Sequence, residues 1–115
     1  MIINSFLKSN SDISPQQAVQ IMSHENGSLV LDVREDAEFK TGHIKDSVHI
    51  PLGALKSRLS ELDKSKGKDI IVGCRSGSRS GRACSLLKKN GFEKVHNLRG
   101  GVIAWENDNL PMSKA

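Results

Sequence analysis

The chain has 115 residues, 26% of them charged, with 10 Gly, 3 Pro and a formal net charge of +4. This is the length and composition of one soluble globular domain, large enough for a core without staples. No apolar run approaches the ~20 residues of a membrane-spanning helix. Four aromatic residues (Phe6, Phe39, Phe92 and Trp105) give poor material for stacking bases, and no helix reads as a basic stripe, so nucleic acid is not an expected partner.

The N-terminus, Met1-Ile2-Ile3, lacks a basic segment followed by a long apolar one, so the expectation is a cytoplasmic protein with no membrane segment in this chain; a monomer is expected as well. The two cysteines, Cys74 and Cys84, make no disulfide framework and have no zinc-ligand spacing. A reactive thiol and a packed one is the better reading.

In chain order, Ser14-Pro15-Gln16-Gln17 has the form of a capping box and predicts a helix to about Met22. Residues 29–33 are an apolar run broken by Asp32, as in a strand buried on both faces. Residues 35–41 predict one or two helical turns, and residues 48–50 a short strand closed by Pro51. Leu55, Leu59 and Leu62 fall at helical spacing, and residues 64–68 read as a solvated loop. Residues 70–73 form a strand that delivers Cys74. The next helix presents Ala83, Leu86 and Leu87 on one side and stops at Asn90-Gly91. Residues 95–98 predict a last short strand, and Gly100 to Trp105 leads into a C-terminal helix or turn. Strands alternating with helices predict an α/β architecture around a mainly parallel sheet. Asp32, Arg34 and Cys74 fall at strand ends, where sites in that architecture converge.

Cys74 opens the segment Cys74-Arg75-Ser76-Gly77-Ser78-Arg79-Ser80-Gly81-Arg82 between strand and helix. A thiol is a useful nucleophile only as thiolate, and nearby cations, a helix N-terminus and converging N–H groups all favour that form. Gly77 and the serines let the loop curl so that its N–H groups point inward as an anion nest, and Arg75, Arg79 and Arg82 supply positive charge. Between Ile70 and Gly101 there are seven basic residues and one acid, while the rest of the chain is slightly acidic. That focusing favours a small anionic substrate. A packed structural cysteine would sit inside an apolar face instead. Cys84, between Ala83 and Leu86, is such a residue.

These features resemble the rhodanese family of sulfurtransferases, in its single-domain form. Leu31-Asp32-Val33-Arg34-Glu35 with Glu38-Phe39, then Gly42-His43-Ile44 with Ile50-Pro51, then Cys74 to Arg79, then Gly100-Gly101-Val102-Ile103-Ala104-Trp105 match four family motifs in order. The resemblance implies a single α/β domain at residues 12–112 with a mainly parallel five-stranded sheet flanked by helices on both faces. Residues 1–11 are then a peripheral N-terminal segment and 113–115 a tail. It implies that Cys74 takes a sulfane sulfur from a small anionic donor such as thiosulfate, holds it as a persulfide, and passes it to cyanide, a thiol or a protein. Cys74 is then catalytic; Arg75, Ser76, Gly77, Ser78 and Arg79 bind substrate; Asp32 and Arg34 support the loop. Arg79 has a second reading, tied to a carboxylate and holding the loop's shape. Arg75 matches the basic second loop position of the two-domain thiosulfate enzymes, but Ser76 departs from the basic third, which weakens the case for thiosulfate as physiological donor.

His43 reads as a structural hydrogen-bonding residue, and His24, His49 and His96 have no ligand spacing. Phe92 and Trp105 read as core or pocket-rim residues. No nucleotide or metal motif is present, so no cofactor is expected. Two other functions compete. A non-catalytic rhodanese-like binding or regulatory module would commonly lack the cysteine. A cysteine-based phosphatase or arsenate-type enzyme needs five residues between Cys and Arg, a position that Ser80 occupies.

Overall fold

A computed structural model describes residues 11–24 and 27–114 of the chain. Residues 1–10 of the expected N-terminal segment, Phe6 among them, and Ala115 of the expected tail lie outside the described residues.

The elements run β1 (Ser11–Ile13), α1 (Pro15–Met22), β2 (Leu29–Asp32), α2 (Asp36–Thr41), β3 (His43–Ile44), β4 (Val48–His49), α3 (Leu52–Leu55), a 3₁₀ helix (Lys56–Ser65), β5 (Ile70–Gly73), α4 (Ser78–Lys89), β6 (Val95–Leu98), α5 (Gly101–Asn107) and β7 (Met112–Ser113). Five strands form one parallel sheet in the order β1-β6-β5-β2-β4, and β3 pairs antiparallel with β7 in a second sheet. This is the expected α/β fold with its five-stranded parallel sheet.

Period-two alternation divides the core between the two faces of the sheet. Leu31, Ile70 and Val72 point to one face, against Leu55, Ala83 and Leu87 of α3 and α4. Val30 and Ile71 point to the other, against Ala18 of α1 and Val102 and Trp105 of α5. Phe92 and Trp105 are both core residues, and the Trp105 indole N–H donates to the Pro111 carbonyl at 2.9 Å. The capping box at α1 forms as its residues indicate: Gln17 N–H donates to Ser14 Oγ at 3.1 Å and Ser14 N–H to Gln17 Oε1 at 2.8 Å.

Several elements differ from the sequence expectation. Leu55, Leu59 and Leu62 lie on a short α-helix running into a 3₁₀ helix, with a break at Arg58 (φ −115°, ψ 16°), rather than on one α-helix. The segment Ser11-Asp12-Ile13 is the edge strand of the main sheet, in register with His96-Asn97-Leu98. Ser113 pairs with His43, so β7, and not β6, is the last strand. Strands of two or three residues carry no alternation of their own and form because a partner strand is already in place. No helix among the described residues is long and apolar enough to cross a membrane.

Candidate active site

Cys74 continues the alternation of Ile70 and Val72, so its side chain turns to the α4 face and is only 1% exposed. Three loop residues separate it from α4. Gly77, the N-cap of α4, has φ +124°, a conformation that glycine adopts without strain, and its N–H donates to Cys74 Sγ at 3.0 Å.

The loop takes its shape partly from α5. The Cys74 carbonyl accepts from Val102 N–H at 2.9 Å and the Arg75 carbonyl from Ile103 N–H at 3.2 Å. The N–H and C=O of a trans peptide point in opposite directions. Pinning the Arg75 carbonyl to α5 therefore aims the Ser76 N–H back toward the sulfur. Gly101 (φ +61°) makes this docking possible, because a Cβ there would lie 2.4 Å from the Cys74 carbonyl oxygen and 2.5 Å from that of Arg75.

Ser80, in the first turn of α4, is fully buried beneath the sulfur. Its hydroxyl lies 3.4 Å from Cys74 Sγ and 3.0 Å from the Gly77 carbonyl, and it hydrogen-bonds Asn97 Oδ1 of β6. Asn97 Nδ2 donates to Asp12 Oδ1 at 3.1 Å and to the Gly77 carbonyl at 3.4 Å. Burial alone would push the Cys74 thiol up. Hydrogen bonds from the Ser80 hydroxyl and the N–H groups of Ser80, Gly77 and Ser76 outweigh it, and the thiol is held below the ordinary cysteine value. Burial pushes Cys84 up to about 12, as a packed thiol requires.

The arginines stand differently from the picture of three cations on the thiolate. Arg79 makes a bidentate ion pair with Glu38, Nη1–Oε1 2.7 Å and Nη2–Oε2 2.9 Å, so its guanidinium is engaged by a carboxylate. Arg75 and Arg82 are exposed, and so are Ser76 and Ser78, leaving the loop backbone to line the sulfur. Asp32 and Arg34 are buried and closed on each other: Arg34 Nε and Nη2 and the Arg34 N–H all donate to the Asp32 carboxylate. Arg34 Nη2 also donates to the Gly42 carbonyl at 2.8 Å, so the pair braces the turn between α2 and β3. Gly73 of the cysteine strand is the register partner of Asp32, so this brace stands beside the base of the loop. His43 is buried, bonded through Nδ1 to the Phe39 carbonyl and stacked on the Phe39 ring, with His49 stacked on Phe39 as well.

A cavity of about 430 Å³ opens beside the loop, with Arg34, Glu38, Arg75 and Glu106 contributing charge and Val102 and Met112 contributing apolar wall. Among the described residues, no group of three or more His, Cys, Asp or Glu side chains could hold a metal ion. Glu38, Asn97 and Asp12 were not recognisable as site residues from the sequence. Glu38 stood in a recognised motif but lies 41 positions from Arg79, and Asn97 and Asp12 meet only because β1 pairs with β6.

A backbone cradle surrounds a buried thiol at the carboxyl end of a parallel strand. The chain belongs to the rhodanese-like family: the model of the Rhodanese-like domain matches residues 14–108. It is 36% identical over 102 residues to a sulfurtransferase of Allochromatium vinosum, covering 89% of this chain and 94% of that protein. It is 30% identical over 105 residues to the thiosulfate sulfurtransferase GlpE of Actinobacillus pleuropneumoniae, covering 91% and 94%. The crystal structure of a rhodanese-related protein from Thermoplasma volcanium matches with a TM-score of 0.80 at 27% identity, covering 91% of this chain and 99% of that one. The expected family and fold are borne out.

Proposed function

We propose that the chain is a sulfurtransferase that carries sulfane sulfur as a persulfide on Cys74. The observation that supports this most is the Cys74 sulfur buried among inward N–H groups, an environment suited to a thiolate and to the anionic outer sulfur of a persulfide. With thiosulfate as donor, the Cys74 thiolate attacks the outer sulfur, an S–S bond forms, and sulfite leaves with the electron pair of the bond that breaks. A nucleophilic acceptor then attacks the outer sulfur, a bond to the acceptor forms, and the Cys74 thiolate is released. Neither step requires a cofactor or a general acid.

In this reading Ser76, Gly77 and Ser78 bind the donor through the loop backbone, and the exposed Arg75 meets its oxyanion end. Arg79 contributes charge while tied to Glu38, and Asp32 and Arg34 brace the neighbouring turn. The catalytic unit is residues 12–112, acting as a cytoplasmic monomer on a small anionic donor, with a thiol or a protein as acceptor.

The test is thiocyanate formation from thiosulfate and cyanide, repeated with other sulfane-sulfur donors, using the chain and its Cys74→Ser variant. Cys74-dependent turnover with any donor supports the reading. A thiol that takes no sulfur from any of them favours the binding-module alternative.

A further inference from the structure

Ser80 has one hydroxyl proton and three acceptors in reach: Cys74 Sγ at 3.4 Å, the Gly77 carbonyl at 3.0 Å and Asn97 Oδ1 in close contact. A hydroxyl donates once, so each of these bonds competes with the others. While Cys74 is a thiol, its S–H can donate to Ser80 Oγ and Ser80 can donate to Asn97. A thiolate only accepts. Ser80 serves it by turning its proton away from Asn97.

Asn97 is fixed in the orientation that makes it a competitor. Its Nδ2 faces the Asp12 carboxylate at 3.1 Å across the β1–β6 ladder, where the two residues are register partners. A carboxylate can only accept, so the amide nitrogen is kept on the Asp12 side and Oδ1 on the Ser80 side. A flipped amide would present an N–H to Ser80 Oγ and free the serine proton for sulfur.

We propose that Asn97, oriented by Asp12, is a positioning residue that competes with the Cys74 sulfur for the Ser80 proton and thereby sets the acidity of the thiol. This rests on Cys74 working as a thiolate. It places the restraint on sulfur uptake: in the persulfide, Cys74 Sγ is covalently bonded, the negative charge sits on the outer sulfur, and the serine proton returns to Asn97. The other groups bearing on the sulfur are Arg79 on α4, which Glu38 of α2 engages, and the buried Cys84 on α4. On β2, Asp32 is closed on Arg34.

The test is the pH dependence of iodoacetamide alkylation at Cys74, located by peptide mass, in Ser80→Ala, Asn97→Leu, Asp12→Ala and the doubles with Ser80→Ala. Ser80→Ala is expected to raise the apparent thiol pKa and slow alkylation at pH 7 by about tenfold, one pKa unit. Asn97→Leu and Asp12→Ala are expected to lower the apparent pKa and speed alkylation a few-fold, and to have no such effect in the Ser80→Ala background. A merely structural role would slow all the variants alike. Loss of the Asp12 charge alone would persist without Ser80. Either of those outcomes overturns the proposal. Asp12 is exposed on an edge strand, so its variant keeps the proposal testable if Asn97→Leu does not fold. Alkylation needs no sulfur transfer, so a negative result here leaves the persulfide reading standing, and a chain that transfers no sulfur still answers this question.

Discussion

Arg79 and Glu38, 41 positions apart, form a two-bond ion pair that fastens the first turn of α4 to α2. Glu38 Oε1 also accepts from the Glu35 N–H at 3.0 Å, so the carboxylate is held at both ends. The Arg79 hydrogen bonds come first among the causes that hold the Glu38 carboxyl at about 2. A depressed carboxyl pKa stabilises the fold at pH values above the unfolded value, and that contribution disappears as pH falls through the folded one. Both side chains are about 30% exposed, so solvent screening limits the contribution. Glu38→Gln is expected to cost about 1 kcal/mol at neutral pH. Denaturant unfolding of variant and parent should converge between pH 5 and pH 2, and a difference that persists at pH 2 would assign the loss to something else.

Gly101 is the position where α5 meets the cysteine loop. An added Cβ would meet two carbonyl oxygens of that loop at 2.4 and 2.5 Å, and φ is +61°. Gly101→Ala is therefore expected to destabilise the fold by about 3 kcal/mol. It should also raise the apparent pKa of Cys74, because the pinned carbonyls no longer aim the Ser76 N–H. Thermal unfolding and thiol titration together check this.

The two thiols should separate cleanly by reactivity. Cys74, held below the ordinary value by Ser80 and the loop N–H groups, is expected to alkylate in the native protein near pH 7. Cys84, pushed by burial up to about 12, is expected to remain unlabelled until the chain is denatured. Peptide masses after a short iodoacetamide pulse, native and denatured, give the comparison.

Phosphomonoester hydrolysis should be negligible. The position where that chemistry needs an arginine holds Ser80, buried against the sulfur, and the guanidinium of Arg79, one residue before it, is committed to Glu38. Cys74-dependent turnover of an aryl phosphate would contradict this.

What was legible in the sequence was local. The strand into Cys74, the capping box at Ser14 and the α4 stop at Asn90 each follow from a few neighbouring residues, and each is where the spacing placed it. The thiol's environment was legible in kind, because Gly77 in a Ser-rich loop indicates an N–H nest. The agent that most favours the thiolate was not. Arginines attract attention by charge, yet Ser80 and the backbone bear on the sulfur while Arg79 answers Glu38. Ser80 could have been suspected from its place one turn into the helix, but its partner Asn97 and that residue's partner Asp12 are brought together by the pairing of β1 with β6. β1 itself has three residues and no pattern, so nothing in its own sequence announces it.

Whether Cys74 carries sulfane sulfur is tested most simply by the intact mass of the purified chain before thiosulfate, after it, and after subsequent cyanide, beside Cys74→Ser. The expected result is a gain of one sulfur at Cys74, its removal by cyanide with thiocyanate formed, and no gain in the serine variant. Sulfur acquired equally by the Cys74→Ser chain, or sulfur on Cys74 that cyanide does not discharge, would contradict it.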